Sequence, residues 1–456
     1  MSPHPVSSRS PWRPARARGD LFGPRWPRGL RLALVTLVVA ATPAAAQVAD
    51  SAAAARSHYR QAGSLLRAGD TTAAVTALGL AASAWPAQGA YHAAYARLAA
   101  VAGHQAEALR ALKRLVTLGY GWDKTDPVAQ ALAGLPEYSA LERRMLAATA
   151  PLRRSQVLVQ LRDTLLHPEG IAWDGARRRW LVSSVRQRKI VAVDQRGDAS
   201  DLVRSGQDGL DAALAIGVDS SQGLVWVASA ALPQQLGWMP ADSGRSAVLA
   251  FDLATGKLRR RVHLPVVAGG HSVGDLTVLT DGTVYASDTR SPALYRIAPA
   301  GGDTARVVVA DNPLVRSPQG LVADGGRLLV ADYSHGVLVV DPVTRSVQAL
   351  PAPPGVTVLG IDGLVRQDQH HLIGVQNGIS PPRIVRLTLS PDSKSITEVT
   401  QVDRYLPEAG EPTQGVMVEG AFVYLANSPW SNYDDAGRTR SGAEWPAPLL
   451  LRLRLR

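Results

Sequence analysis

The chain has 456 residues, 46% apolar and 19% charged, with 41 Gly, 31 Pro and no Cys. It is too long for one compact core and too apolar for a disordered chain, so two folded units are expected. The lack of cysteine excludes disulfide scaffolds, thiolate zinc sites and a thiol nucleophile, which leaves oxygen and imidazole groups for any chemistry. The formal charge of +11 is no nucleic-acid signature, because +6 of it lies before residue 47, where seven Arg face the single acid Asp20. After those arginines comes an apolar run over 30–41, too short to span a bilayer, then Pro43 and three Ala. This order is that of a secretory signal over 1–46, a retained anchor being the other reading. The mature chain is then expected to carry no membrane span, to bind no nucleic acid, and to be periplasmic or secreted from a bacterium.

Residues 47–150 are Ala-rich and apolar at helical spacing, which predicts helices. The segment 66–78 recurs as 100–112, an offset of 34 residues, each copy with a turn glycine (Gly69, Gly103) and a small residue five positions later (Ala74, Ala108). That period resembles tetratricopeptide repeats over about 57–118, capped by a helix over 135–146, and implies a docking module for a protein partner. An ordinary bundle of helical hairpins is the alternative.

From residue 151 to 456 the period switches to two. Six units recur, with first strands beginning at Ile171, Ile216, Leu276, Leu321, Leu364 and Val416. Second strands are expected at 180–184, 224–229, 284–288, 328–332, 372–377 and 423–427. Third strands are expected at 190–194, 248–252, 294–298, 337–341, 384–387 and 449–455. Six units of this size, none able to bury its own face, predict a mainly β fold: a six-bladed β-propeller behind an N-terminal α-helical region. A seven-bladed ring or a sandwich is the competitor. The strand at 155–161 has no partner in the first unit and the sixth unit lacks an outer strand, so the two should pair and close the ring. The terminal Leu-Arg alternation then places Leu inward and Arg in water.

In a propeller the residues just before each first strand ring one mouth of the central channel. Here they are Glu169, Leu214, Gly274, Gln319, Asp362 and Gln414. Two carboxylates and two carboxamides on one axis call for a bound cation, a shared proton or channel water. All-oxygen donors point to Ca²⁺ before Mg²⁺ or Mn²⁺.

The blade openings His167-Pro-Glu-Gly-Ile-Ala-Trp-Asp174, Ser317-Pro-Gln-Gly-Leu-Val-Ala-Asp324 and Ile361-Asp-Gly-Leu364 resemble the gluconolactonase / senescence-marker-protein / luciferin-regenerating-enzyme family of six-bladed, metal-dependent hydrolases. The resemblance covers about 155–456. It implies one divalent ion held by Glu169, Gln319 and Asp362, with Gln where the family has Asn. The family's substrate-holding Asn of blade three becomes Gly274, with Asp275 beside it. Similar openings also occur in noncatalytic NHL-repeat propellers.

Gly270-His-Ser-Val-Gly274 satisfies the G-x-S-x-G pattern, but a nucleophile elbow needs a helix after it and strand signals follow here. His271 and Ser272 still fall at the channel mouth. Two second-to-third-strand connections are long, 231–245 and 428–446, and their Trp238, Trp430, Tyr433 and Trp445 either form an aromatic lid over a ligand or pack the inserts against the ring. The reading is thus an exported hydrolase of a lactone or related ester. Asp362 or Asp275 is its base, and a small-molecule substrate at the channel mouth touches His271, Ser272, Gln414, Trp238, Trp430 and Tyr433. The rival is a noncatalytic binding scaffold.

Overall fold

The computed structural model describes residues 43–121 and 126–455. The expected leader lies outside the described residues, apart from its last four. No helix among the described residues is long and apolar enough to cross a membrane.

Among the described residues six helices come first: α1 (Pro43–Arg67), α2 (Thr71–Ala84), α3 (Gly89–Val101), α4 (Gln105–Thr117), α5 (Pro127–Leu132) and α6 (Pro136–Thr149). The hairpins α1–α2 and α3–α4 repeat at the expected offset. Gly69 and Gly103 take φ +81° and +83°, which lets the next amide reach back: Asp70 N donates to the Leu65 carbonyl (3.0 Å) and His104 N to the Ala99 carbonyl (2.8 Å). Asp70 then caps α2 through Ala73 N (2.9 Å). Ala74 and Ala108 are fully buried, which is what the close approach of paired helices requires.

His92 of α3 is buried, its Nε2 3.2 Å from the Pro86 carbonyl, and burial lowers its pKa to about 4. A folded value below the ordinary 6.5 means that the neutral ring stabilises the fold above pH 6.5. That contribution, about 3 kcal/mol, is lost as the pH falls toward 4. Melting of the helical signal should therefore move to lower temperature between pH 7 and 4, and His92→Gln should flatten the dependence; an unchanged slope in the variant contradicts the assignment.

Six four-stranded antiparallel sheets follow. Blade one is Pro168–Asp174, Arg179–Ser184, Lys189–Val193 and Ala199–Val203; blade two is Ala212–Asp219, Leu224–Ala230, Ser246–Asp252 and Leu258–Val262. Blade three is Val273–Val278, Val284–Asp288, Ala293–Ile297 and Arg306–Ala310; blade four is Pro318–Asp324, Arg327–Asp332, Gly336–Val340 and Val347–Ala349. Blade five is Ile361–Arg366, His371–Gln376, Arg383–Leu389 and Ile396–Arg404. Blade six is Gly415–Val418, Ala421–Leu425 and Leu449–Arg454, completed by Ser155–Gln160 as its outer strand. The chain thus closes its ring with its first strand, as expected. On the terminal strand Leu449, Leu450, Leu451 and Leu453 are buried while Arg452 is half-buried and Arg454 exposed.

The innermost strands touch in sequence around the axis, the last against the first. The core lies between blades as six apolar layers, for example Trp180, Val182 and Ile171 of blade one against Val423, Leu425 and Leu450 of blade six. Only stacking covers each sheet's faces, which is the physical reason for six copies.

The helical region packs on the propeller face that carries the second-to-third-strand loops. Arg383 opens the third strand of blade five and is almost fully buried. It donates to Gln376 Oε1 (2.6 Å) and to the carbonyls of Gly119 (3.2 Å) and Leu118 (3.5 Å) at the end of α4. Arg404 reaches the Ala147 and Ala150 carbonyls (3.2 and 3.0 Å), and Gly121 N donates to Ser380 O (2.8 Å). Val48 and Ala49 of α1 join the apolar layer of blades three and four.

Candidate functional site at the channel mouth

Five blades share one local device. In the pairing of first and second strands the register slips at Pro168/Ile171, Ala213/Ile216, Val273/Asp275, Pro318/Leu321 and Ile361/Leu364, so a bulge occupies the residues between each of these pairs. Glu169, Leu214, Gly274, Gln319 and Asp362 all lie within it. In blades one, four and five the next residue is Gly, and packing explains why. A Cβ on Gly170 would stand 2.5 Å from Leu214 O, one on Gly320 2.4 Å from Leu364 N, and one on Gly363 2.8 Å from Thr413 O. Each glycine admits the neighbouring blade's backbone, and the residue before it stands at the axial position.

In blades three, four and five the loop leading into the bulge is latched by the polar residue that ends the second strand. Asp288 accepts from Ser272 N (3.0 Å), Asp332 from Arg316 N and Ser317 N (2.7 and 2.8 Å), and Gln376 donates to the Thr357 and Leu359 carbonyls (2.9 and 2.8 Å). These bonds fix the approach of each first strand.

Glu169, Asp275 and Asp362 are brought within electrostatic reach of one another, and Glu411, from the connection into blade six, joins them. Asp362 is the common neighbour. Burial comes first and the Asp362 charge second in raising Glu169 and Asp275 well above the carboxylate range, and the same causes push Glu411 up to about 8. Burial raises Asp362 itself to about 6, opposed by the Asn377 amide, which donates to Oδ2 (2.8 Å). Trp430 donates its indole N–H to Glu169 Oε2 (2.7 Å) and lowers that carboxyl again. Tyr333 donates to Asn377 Oδ1 (3.1 Å), so the amide that steadies Asp362 is itself held.

The other expected site residues fall as follows. Gln319 is half-buried, its Nε2 3.5 Å from Ser317 Oγ, and its Oε1 lies 3.8 Å from where a Cβ on Gly274 would stand; the longer side chain reaches toward the space that glycine leaves. Gln414 is buried and, with Asp275, lines a channel cavity of about 500 Å³. His271 is 8% exposed and uses both ring nitrogens inside blade three, Nδ1 with Asp288 Oδ2 (2.6 Å) and Nε2 with Pro265 O (2.7 Å). Ser272 precedes strand Val273–Val278, not a helix, so the G-x-S-x-G run forms no nucleophile elbow. Trp430 and Tyr433 flank the buried ring of His167, with centroids 4.5 and 5.3 Å away, and Trp445 stands edge-on to Tyr433 at 5.7 Å. Trp238 is half-buried in the blade-two insert, which Arg245 and Gln235 pin through Asp211.

A cavity of about 850 Å³ opens between the helical region and blades four to six. Trp430, Asn377, Tyr333 and Glu411 all line it, so two of its walls are the groups that hold Glu169 and Asp362. Sequence reasoning missed Glu411, Asn377 and Tyr333.

Among the described residues no three His, Asp or Glu side chains are grouped closely enough to form a ready metal cluster. The donor chemistry nonetheless fits one hard cation shared by two carboxylates and a carboxamide. Glu169 and Asp362 each have one oxygen fixed by a donor and the other without a hydrogen bond among the described residues. No Lys or Arg is among the charges acting on Asp275, Asp362 or Glu411.

The chain matches no family model and no curated protein. Among solved structures it is similar to a gluconolactonase from Xanthomonas campestris, at 15% identity and a TM-score of 0.44 over 67% of this chain and 92% of that one. It is also similar to virginiamycin B lyase from Staphylococcus aureus (14%, 0.42, 61% and 83%). A third is the calcium-binding protein regucalcin from Agrobacterium tumefaciens (16%, 0.44, 66% and 93%). Likeness at this level carries no activity over to the chain.

Proposed function

We propose that the protein is an exported, metal-dependent hydrolase of a lactone or related ester. The observation that supports this most is the pairing of Glu169 with Asp362 at one channel mouth, each held by a wall residue of the cavity between the helical region and the propeller. Glu169, Gln319 and Asp362 would hold the divalent cation, Ca²⁺ before Mg²⁺, because Gln sets its oxygen one bond further out than Asn and a calcium shell tolerates that better. When bound, the cation polarises the substrate carbonyl and acidifies water. Asp362 or Asp275 takes the proton of the attacking water, and the protonated carboxyl then returns it to the leaving oxygen. Trp430 and Tyr433 offer aromatic faces to the substrate at the cavity wall, Gln414 lines the channel, and Ser272 would be a further substrate contact. His271 and Trp238 would act as substrate contacts only after release from their present packing. The names of two structural neighbours, a gluconolactonase and a calcium-binding protein, accord with this reading without carrying it.

Purified mature protein should hydrolyse simple lactones or esters, lose that activity with a chelator and regain it with calcium. A metal-free, chelator-indifferent protein that binds a protein partner through residues 47–150 would favour the scaffold reading instead.

A further inference from the structure

The cavity of about 850 Å³ is far larger than a single sugar ring needs and lies in the size range of sites for drug-sized ligands. Its two sides come from different parts of the chain. Gln88, Ala90 and Tyr120 of the helical region face Tyr333, Tyr405 and Trp430 of the propeller.

The helical wall is fixed in place. Tyr120 follows directly on the α4 carbonyls that Arg383 grips, and a Cβ on Gly89 would stand 2.2 Å from the Tyr120 ring, so the start of α3 and Tyr120 are in intimate contact. The charges in the cleft are largely committed to protein partners. All three guanidinium nitrogens of Arg383 and of Arg404 donate to Gln376, Gln401 or backbone carbonyls, and Arg440 donates its Nε to Tyr433 O. Asp403 accepts from Arg154 N, Ser155 N and the Tyr424 hydroxyl. Glu411, at the inner end, has no cationic partner among its perturbing charges. What the cleft offers a ligand is therefore aromatic surface, with an acid near its inner end and guanidiniums whose hydrogen bonds to neutral groups leave their positive charge in place.

From these observations we infer that the helical region forms the specificity wall of the substrate site, and that the site takes aromatic-bearing esters or lactones in preference to small sugar-like ones. This rests on the hydrolase reading for the word substrate but not for the binding site itself. Binding and turnover are accordingly measured apart.

Binding is read by fluorescence titration with 2-naphthol, a neutral ring probe, on the full mature chain. Saturable binding is expected. Ala90→Trp, which fills the cleft from the helical side, should weaken 2-naphthol at least tenfold. Tyr405→Ala, at an exposed position where the fold should be kept, should weaken it about threefold to tenfold. Turnover of 2-naphthyl acetate relative to methyl acetate should fall at least tenfold in Ala90→Trp. No saturable binding, or undiminished affinity in both variants, overturns the inference. Correct binding without hydrolysis of any ester leaves the cleft standing and removes the hydrolase reading.

Discussion

Glu169→Gln should lower ester or lactone turnover by about two to three orders of magnitude while leaving the folded structure in place. The side chain keeps its length, and the Trp430 indole N–H can still donate to the Gln carbonyl in place of Glu169 Oε2. What disappears is one ionisable carboxyl from a buried group of acids whose charges repel one another. The fold should therefore tolerate the change or gain from it, because removing a buried charge whose neighbours share its sign relieves a cost. Function should not, since the same charge is what would hold the cation. Activity assays beside thermal melts separate the two effects. A variant that melts at or above the native temperature and yet does not turn over supports the assignment. Retained turnover would show that this carboxylate does no chemistry.

Gly320→Ala should cost about 2–3 kcal/mol and silence the site together with the fold around it. The added methyl would meet backbone, not the far end of a flexible side chain: Leu364 N at 2.4 Å and Asp362 O at 2.7 Å. Relief requires the innermost strands of blades four and five to separate. The strand displaced is the one that bears Asp362, so stability and activity should fall in step. Gly326→Ala, in the exposed turn of the same blade, is the control. It has no atom within 4 Å of the added carbon, and its φ of +88° makes it strained for backbone reasons alone. A Gly320→Ala protein with native melting and native activity would contradict the packing account of the Asp-Gly and Gln-Gly pairs.

Much of the ring was readable from sequence because each blade repeats the same problem of covering two sheet faces, and the solution leaves a recurring apolar strand pattern. Its closure was readable because one strand at each end lacked a partner. Glu169 and Asp362 were legible for a physical reason that the bulges make explicit: an acid followed by Gly at the start of an innermost strand marks both an axial side chain and a tight blade contact. Glu411 and Asn377 carried no such mark. One comes from an irregular connection and the other from the first residue of a hairpin loop, and only the folded ring brings them to Asp362. His167 was quoted as part of a blade opening, yet its place between Trp430 and Tyr433 depends on an insertion more than 260 residues later. The seating of the helical region on the propeller was also hidden, because the carbonyls of residues 118, 119, 147 and 150 that bind Arg383 and Arg404 belong to the backbone and leave no trace in residue type.

Calorimetric titration of calcium into chelator-stripped protein tests the oxygen cluster most directly. One site per chain is expected in the native protein, with binding lost in Glu169→Gln and in Asp362→Asn. Absence of any calcium site, or a site of undiminished affinity in both variants, would contradict a cation shared by these blades.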